Sequence, residues 1–344
     1  MAAVFGICLL KSLPASAAEQ KREPPKFSGY AFGDYYFASQ HHSDAIEGMN
    51  GFWFRRVYFY YDQKLEKGFA VRFLLEANSP DGFDPVKNDT LRPFIKVLSL
   101  QYSEPLYSVQ LGLIGTPTWK SVEDSLGYRS VEKTPMDLYK MGAAVDTGVS
   151  VGGFFSKDKR TSYSLMFGNG SSTQSEIDKG KTVYASLGHR MTPEIFVEVY
   201  GDIWNRSGAS AEDWTTLRGL LVYSGRRGKI GLLYASQKRS KEGAPDLTLT
   251  VTSVYTDYRI SERARPMFRV DFVSDPVPGG NTIAYLPLAT NAKPTLYIFG
   301  IRYDITDFFY LVPNVEMVKY SVPTSGTQPD GITFYRLTFY FGWK

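Results

Sequence analysis

Tyr335, Leu337, Phe339, Phe341 and Trp343 occupy alternate positions near the end of the chain, with Arg336, Thr338, Tyr340, Gly342 and Lys344 between them. A period of two places the first set on one face of a strand and the second on the other. One face is aromatic and the other polar, which suits a strand with lipid on one side and water on the other. The same rhythm recurs upstream. Phe69, Val71, Phe73, Leu75 and Ala77 alternate with Ala70, Arg72, Leu74, Glu76 and Asn78. Tyr107, Val109, Leu111 and Leu113 alternate with Ser108, Gln110 and Gly112, and Val145, Thr147, Val149 and Val151 with Asp146, Gly148, Ser150 and Gly152.

Read along its length, the pattern predicts strands at 27–38, 52–62, 68–78, 94–103, 107–114, 143–155, 162–168 and 182–191. It predicts more at 194–204, 214–224, 229–237, 247–260, 266–274, 295–304 and 309–320, and a final one after residue 331. Connections alternate between short turns and longer polar loops. The outcome is an all-β chain of about sixteen strands, an even number that returns both ends to one side, as in an antiparallel transmembrane barrel. At about sixteen strands a barrel lumen becomes an aqueous channel. A stack of soluble sheets would also alternate, but it would not explain the aromatic ribbon or the short/long rhythm. Two segments break the pattern. In 94–102 Lys96 falls on the face of Phe94 and Leu98, and 309–320 carries Pro313.

Composition supports the barrel. Aromatic residues make up 15 % of the chain, with 24 Tyr and 23 Phe, and tyrosine suits a membrane interface because its ring is apolar and its hydroxyl seeks water. Mean hydropathy is -0.23, and no apolar run approaches the roughly 18 residues of a membrane helix. A chain of this kind crosses a bilayer only as a closed barrel, since lipid leaves no backbone group unpaired. The net charge is +4, from 39 Lys and Arg against 35 Asp and Glu. The charges are dispersed and form no basic stripe, so no nucleic-acid partner is expected.

Residues 1–18 read as a secretory signal, removed on export. Ala3 to Leu10 is apolar, Pro14 breaks the run and Ala15-Ser16-Ala17-Ala18 offers small residues for cleavage, although Lys11 follows the apolar core where a signal would carry its basic residue first. Cleavage removes Cys8, the one cysteine. Residues 19–26 form a short polar lead-in, and 27–344 a single barrel domain with no Gly/Ser/Pro-rich boundary inside it.

Three segments resemble the porin family that includes the phosphate-selective porins O and P. They are Gly51-Phe-Trp-Phe-Arg-Arg-Val-Tyr-Phe-Tyr-Tyr61 followed by Gly68-Phe-Ala-Val-Arg-Phe73, then Asp146-Thr-Gly-Val-Ser-Val-Gly-Gly153, and the C-terminal strand. That last strand also resembles the one read by the outer-membrane assembly machinery, departing from it in Lys344 after Trp343. The resemblance implies a sixteen-stranded barrel in outer-membrane lipid, commonly a homotrimer. It implies passive passage of small hydrophilic solutes or ions. The phosphate-specific members owe their selectivity to a ladder of basic pore residues, which the sequence does not place here residue by residue.

By the same resemblance, the long connection 115–141 after the fifth strand is the loop that folds inward and narrows the lumen. It carries Lys120, Arg129, Lys133 and Lys140 with Glu123, Asp124, Glu132 and Asp137. Alternation puts Arg72, Arg190, Arg269, Arg302 and Arg336 on polar faces, which they share with Glu76, Asp146, Glu198, Asp202, Asp271 and Asp304. Such residues either border the passage and set a weak anion preference or pair with one another and brace the wall. Tyr107, Tyr223, Tyr297, Tyr303, Tyr335 and Trp343 are expected in interfacial girdles.

Enzyme chemistry finds little support. The histidines are His41, His42 and His189. The first two lack a third ligand nearby for a metal, and no nucleophile signature accompanies His189. No catalytic, metal or cofactor site is expected. The alternatives to a general channel are a dedicated phosphate-like anion channel and a non-conducting surface barrel that binds partners through its loops.

Overall fold

The computed structural model describes residues 23–79, 82–83, 90–206 and 212–344. The expected leader 1–18 lies outside the described residues. Eight strands occupy the first part of the chain: β1 (Lys26–Gln40), β2 (Asn50–Lys64), β3 (Phe69–Asn78), β4 (Arg92–Ser103), β5 (Tyr107–Gly115), β6 (Val145–Phe154), β7 (Thr161–Gly168) and β8 (Lys181–Arg190). The other eight are β9 (Ile195–Asn205), β10 (Asp213–Ser224), β11 (Gly228–Ser240), β12 (Leu247–Tyr258), β13 (Ala264–Val273), β14 (Pro294–Asp304), β15 (Phe309–Tyr320) and β16 (Ile332–Trp343). Each strand pairs antiparallel with its chain neighbours, and β1 closes the ring on β16 with Phe32 opposite Tyr340 and Asp34 opposite Thr338. The ring has no edge, so every strand's backbone is paired on both sides.

The period-two pattern sorts the side chains as the physics requires. Leu217, Ile203, Val199 and Leu165 point outward and are exposed, while Arg218, Asp202, Glu198 and Met166 point inward and are buried. Three irregularities in the wall have local causes. In β1–β2 the partners run from Phe32 with Arg56 to Gly33 with Phe54, skipping Arg55. In β3–β4 they run from Leu74 with Val97 to Leu75 with Ile95, skipping Lys96. Each is a β-bulge, in which one extra residue reverses the alternation. The first turns both Arg55 and Arg56 inward; the second separates inward Lys96 from outward Leu98. Pro313, with no N–H to donate, sits where the β14–β15 pairing lapses between Asn314 and Leu311.

One strand inverts the expected chemistry. On β12, Leu249, Val251 and Tyr255 face inward and are fully buried, while Thr248, Thr250, Thr252 and Thr256 face outward. The inward residues join Leu233, Ala235, Leu296 and Ile298 in an apolar patch that receives two loops. The β5–β6 loop carries two short helices, α1 (Lys120–Leu126) and α2 (Pro135–Leu138). Gly127 ends α1 in the left-handed conformation, at φ 79°, which glycine adopts without a Cβ clash. Val122, Leu126, Met136, Leu138 and Met141 of this loop are buried, as are Val277, Leu286 and Leu288 of the β13–β14 loop. The lumen is therefore partly filled by an apolar core.

Candidate functional site: the loop-narrowed lumen

The β5–β6 loop is tied to the inner wall along its whole course. The Arg218 guanidinium donates to the Thr118 carbonyl at 2.6 Å, and the Thr118 and Tyr200 hydroxyls lie 2.9 Å apart. Farther along, the Ser125 hydroxyl meets that of Tyr255 at 2.5 Å, and Tyr128 donates to the Phe268 carbonyl at 3.2 Å. Ser130 meets the Tyr310 hydroxyl at 3.0 Å, and Arg55 of β2 donates to the Val131 carbonyl. Arg269 donates to the Lys133 carbonyl at 2.5 Å, Tyr139 to the Asp271 carboxylate at 3.0 Å and Gln237 to the Met141 carbonyl at 3.1 Å. The loop thus lines the wall from β9 to β15 and reaches β2. Its anchors are inward side chains of the barrel.

A second loop also enters. In 274–293, Tyr285 donates to the carbonyls of Arg55 at 3.0 Å and Ser79 at 2.9 Å, and its own carbonyl accepts from Arg336 at 2.5 Å. Lys140 donates to the Gly279 carbonyl at 2.9 Å, joining the two loops. Tyr285 has φ 74°, an uncommon backbone for a bulky side chain. It persists because hydrogen bonds hold both ends of the residue.

Between the first loop and the wall of β2–β4 lies a band of paired charges. From the loop, Arg129 contacts Glu123 at 3.2 Å and Asp137 at 3.1 Å. From the wall, Glu76 receives Arg56 at 2.9 Å and Lys96 at 3.1 Å. Burial pushes the Glu123 carboxyl up, Arg129 opposes this, Asp137 adds to it, and Lys96 across the gap pulls weakly down. Burial would also raise Asp137, but Arg129 and Lys133 hold it below the usual range. Lys133 has no ion pair among the described residues. Burial lowers its pKa, with Asp137 and Glu132 opposing.

The sequence-derived candidates separate into two groups. Arg72, bonded to Asp62 at 2.6 Å, Arg302, bonded to Asp304 at 2.6 Å, and Lys120, bonded to Asp124 at 2.8 Å, reach water as neutralised pairs. Arg129 is held between Glu123 and Asp137 with Lys133 near Asp137, Lys140 joins the loops, and exposed Arg190 donates to the Pro193 carbonyl at the short-turn end. Glu76, Asp146, Arg269, Asp271 and Arg336 do not border water: each is at most 3 % exposed. Asp146 accepts from Gly170 and Tyr184, Arg269 clamps Asp271, and Arg336 bridges Asp34 and Glu316. Removing an ion from water demands such partners, so these residues brace the wall. Sequence reading missed Arg55, Arg56, Lys96 and Tyr285. A tandem Arg-Arg inside an alternating run was the available signal for the first bulge.

Several solved structures match this closed ring over most of their length. An anion-selective porin from Comamonas acidovorans matches with a TM-score of 0.65 at 11 % identity, over 93 % of this chain and 99 % of that one. The chain has the porin fold. The outer-membrane protein OmpT of Vibrio cholerae matches with a TM-score of 0.65 at 12 % identity, over 93 % of this chain and 97 % of that one. Salmonella typhi OmpF, solved with daunomycin, matches with a TM-score of 0.62 at 10 % identity, over 92 % and 97 %. At these identities the porin likeness is one of architecture. No protein-family model matches the sequence, and no curated protein matches it.

Proposed function

We propose that the chain is an outer-membrane porin, passing small hydrophilic solutes and ions down their gradients without catalysis. The supporting observation is the inward loop, hydrogen-bonded to the wall from β9 to β15; on this reading the passage runs between it and β2–β4, past the charged band. Residues 1–18 are the leader, and 27–344 the barrel. A weak anion preference follows from Lys133, the cation at the gap without an ion partner among the described residues. A dedicated phosphate channel would need a run of such cations, and Arg56, Lys96 and Arg129 are instead neutralised by carboxylates. The homotrimer reading is supported by an OmpT structure of Vibrio cholerae with the same fold that is described as a trimer.

Purified protein in planar bilayers is expected to give stepwise conductance with a slight anion preference. Deleting 128–140 is expected to enlarge the steps. Absence of conductance counts against the channel, and unchanged steps after the deletion count against the loop as its narrowest part.

A further inference from the structure

Five inward tyrosines form a belt across four adjoining elements of the wall, beginning beside the charged band, where Tyr58 lies opposite Glu76. Tyr310 of β15 stacks on Tyr340 of β16 with centroids 4.5 Å apart and planes at 7°. Tyr340 lies 5.5 Å from Tyr30 of β1, which lies 4.7 Å from Tyr58 and 6.1 Å from Tyr60 of β2. An arginine sits over each end of the row: Arg302 is 3.8 Å from the Tyr310 ring and Arg72 is 5.7 Å from that of Tyr60. Both are neutralised, Arg302 by Asp304 at 2.6 Å and Arg72 by a two-pronged bond to Asp62 at 2.6 and 3.0 Å. Tyr30, Tyr60 and Tyr340 line a cavity of about 610 Å³ with Asp62 and Arg72, within the size range of small-molecule sites. Tyr30, Tyr58, Tyr60 and Tyr340 are only partly buried, whereas Tyr310 is buried, so the wall surface of the belt is formed by the first four.

We propose that this belt is a binding track for neutral carbohydrates, a refinement that rests on the channel reading above. Aromatic surface accepts the C–H faces of a sugar ring, because the ring quadrupole is negative on its faces. Phenol hydroxyls and the two arginine–carboxylate pairs present donors and acceptors side by side, the arrangement that vicinal hydroxyls of a pyranose match. An anion would have to separate Arg72 from Asp62 or Arg302 from Asp304. A neutral polyol adds to those pairs without separating them, so the chemistry favours sugars over anions.

The test is ion current through the full barrel in planar bilayers, titrated with maltotriose, with polyethylene glycol of matching size, and with benzoate. Maltotriose is expected to block saturably and glycol only in proportion to its concentration. In the double variant Tyr30→Ala, Tyr340→Ala, which removes two rings of the track, the maltotriose affinity is expected to fall at least roughly tenfold. Asp62→Asn keeps every ring and frees Arg72; it is expected to weaken the maltotriose block and strengthen that by benzoate. Intact conductance with no saturable maltotriose block overturns the track, as does a tighter block by benzoate than by maltotriose in the unaltered protein. Absence of current under all conditions strikes the channel reading instead.

Discussion

The hydroxyl of Tyr285 donates to the backbone carbonyl of Arg55 at 3.0 Å, joining the β13–β14 loop to β2, four strands around the ring from β14. The same hydroxyl serves the Ser79 carbonyl at 2.9 Å, and the ring lies against the Arg55 and Arg56 guanidiniums, 5.3 and 5.8 Å from its centroid. One side chain thus fastens a second loop across the lumen. It bears on the residue that also holds the first loop through Val131.

Tyr285→Phe keeps the ring and its cation contacts but removes the donor from the Ser79 carbonyl, at about 1–3 kcal/mol if it is left unmet, while the Arg55 carbonyl keeps the Arg56 guanidinium at 2.9 Å. The strained backbone at φ 74° then loses part of what holds it. Single-channel recording is expected to show added current fluctuation and a higher mean conductance as the loop leaves the lumen for part of the time. A trace as quiet as that of the unaltered protein would show that the hydroxyl does not hold the loop.

Much of this arrangement is legible in the sequence. Tyr335 to Trp343 reads directly as an outward ribbon, and Val145 to Gly152 as a wall strand. Both follow because lipid and water impose opposite chemistry on alternate positions. Three features escape the rule for separate reasons. Arg55 and Lys96 are bulge residues, and a bulge depends on pairing with a partner strand that a local pattern does not contain. On β12 the apolar Leu249 and Val251 face inward because two loops pack on them, so the solvent assumed for the lumen is absent there. Tyr285 sits in a loop whose length gave no sign of direction. Of the candidate residues, Arg269 and Arg336 were placed on the inward face, but alternation does not tell a buried brace from a pore contact.

Arg269 is one such brace. Fully buried, it clamps Asp271 at 2.5 Å and donates to the Lys133 carbonyl at 2.5 Å. Arg269→Ala leaves Asp271 buried with Tyr139 as its neutral donor, and the loop loses an anchor. Breaking a buried pair in this way costs about 3–5 kcal/mol. The variant is expected to unfold at clearly lower temperature in detergent, read by the loss of β-sheet circular dichroism. Arg269→Ala, Asp271→Ala should recover part of the loss, because no uncompensated charge remains. Equal melting of the single variant and the unaltered protein would contradict the brace.

The charged gap should change its ion preference with pH, in a direction set by Glu123. Burial raises its pKa above the ordinary 4.5, with Arg129 opposing and Asp137 reinforcing. Asp137 stays ionised to lower pH, since Arg129 and Lys133 outweigh the effect of burial. As pH falls towards 4.5, Glu123 therefore takes up its proton first, and the gap loses a negative charge while Lys133 and Arg129 keep theirs. The folded state binds this proton more tightly than the unfolded chain does, so protonation of Glu123 adds stability, and this group gives no reason for the loop to detach. Reversal potentials under a salt gradient are expected to shift towards anions on acidification. Glu123→Gln should show the shifted value already at neutral pH and respond less to acid. A reversal potential that moves equally with pH in both proteins would assign the titration to another group.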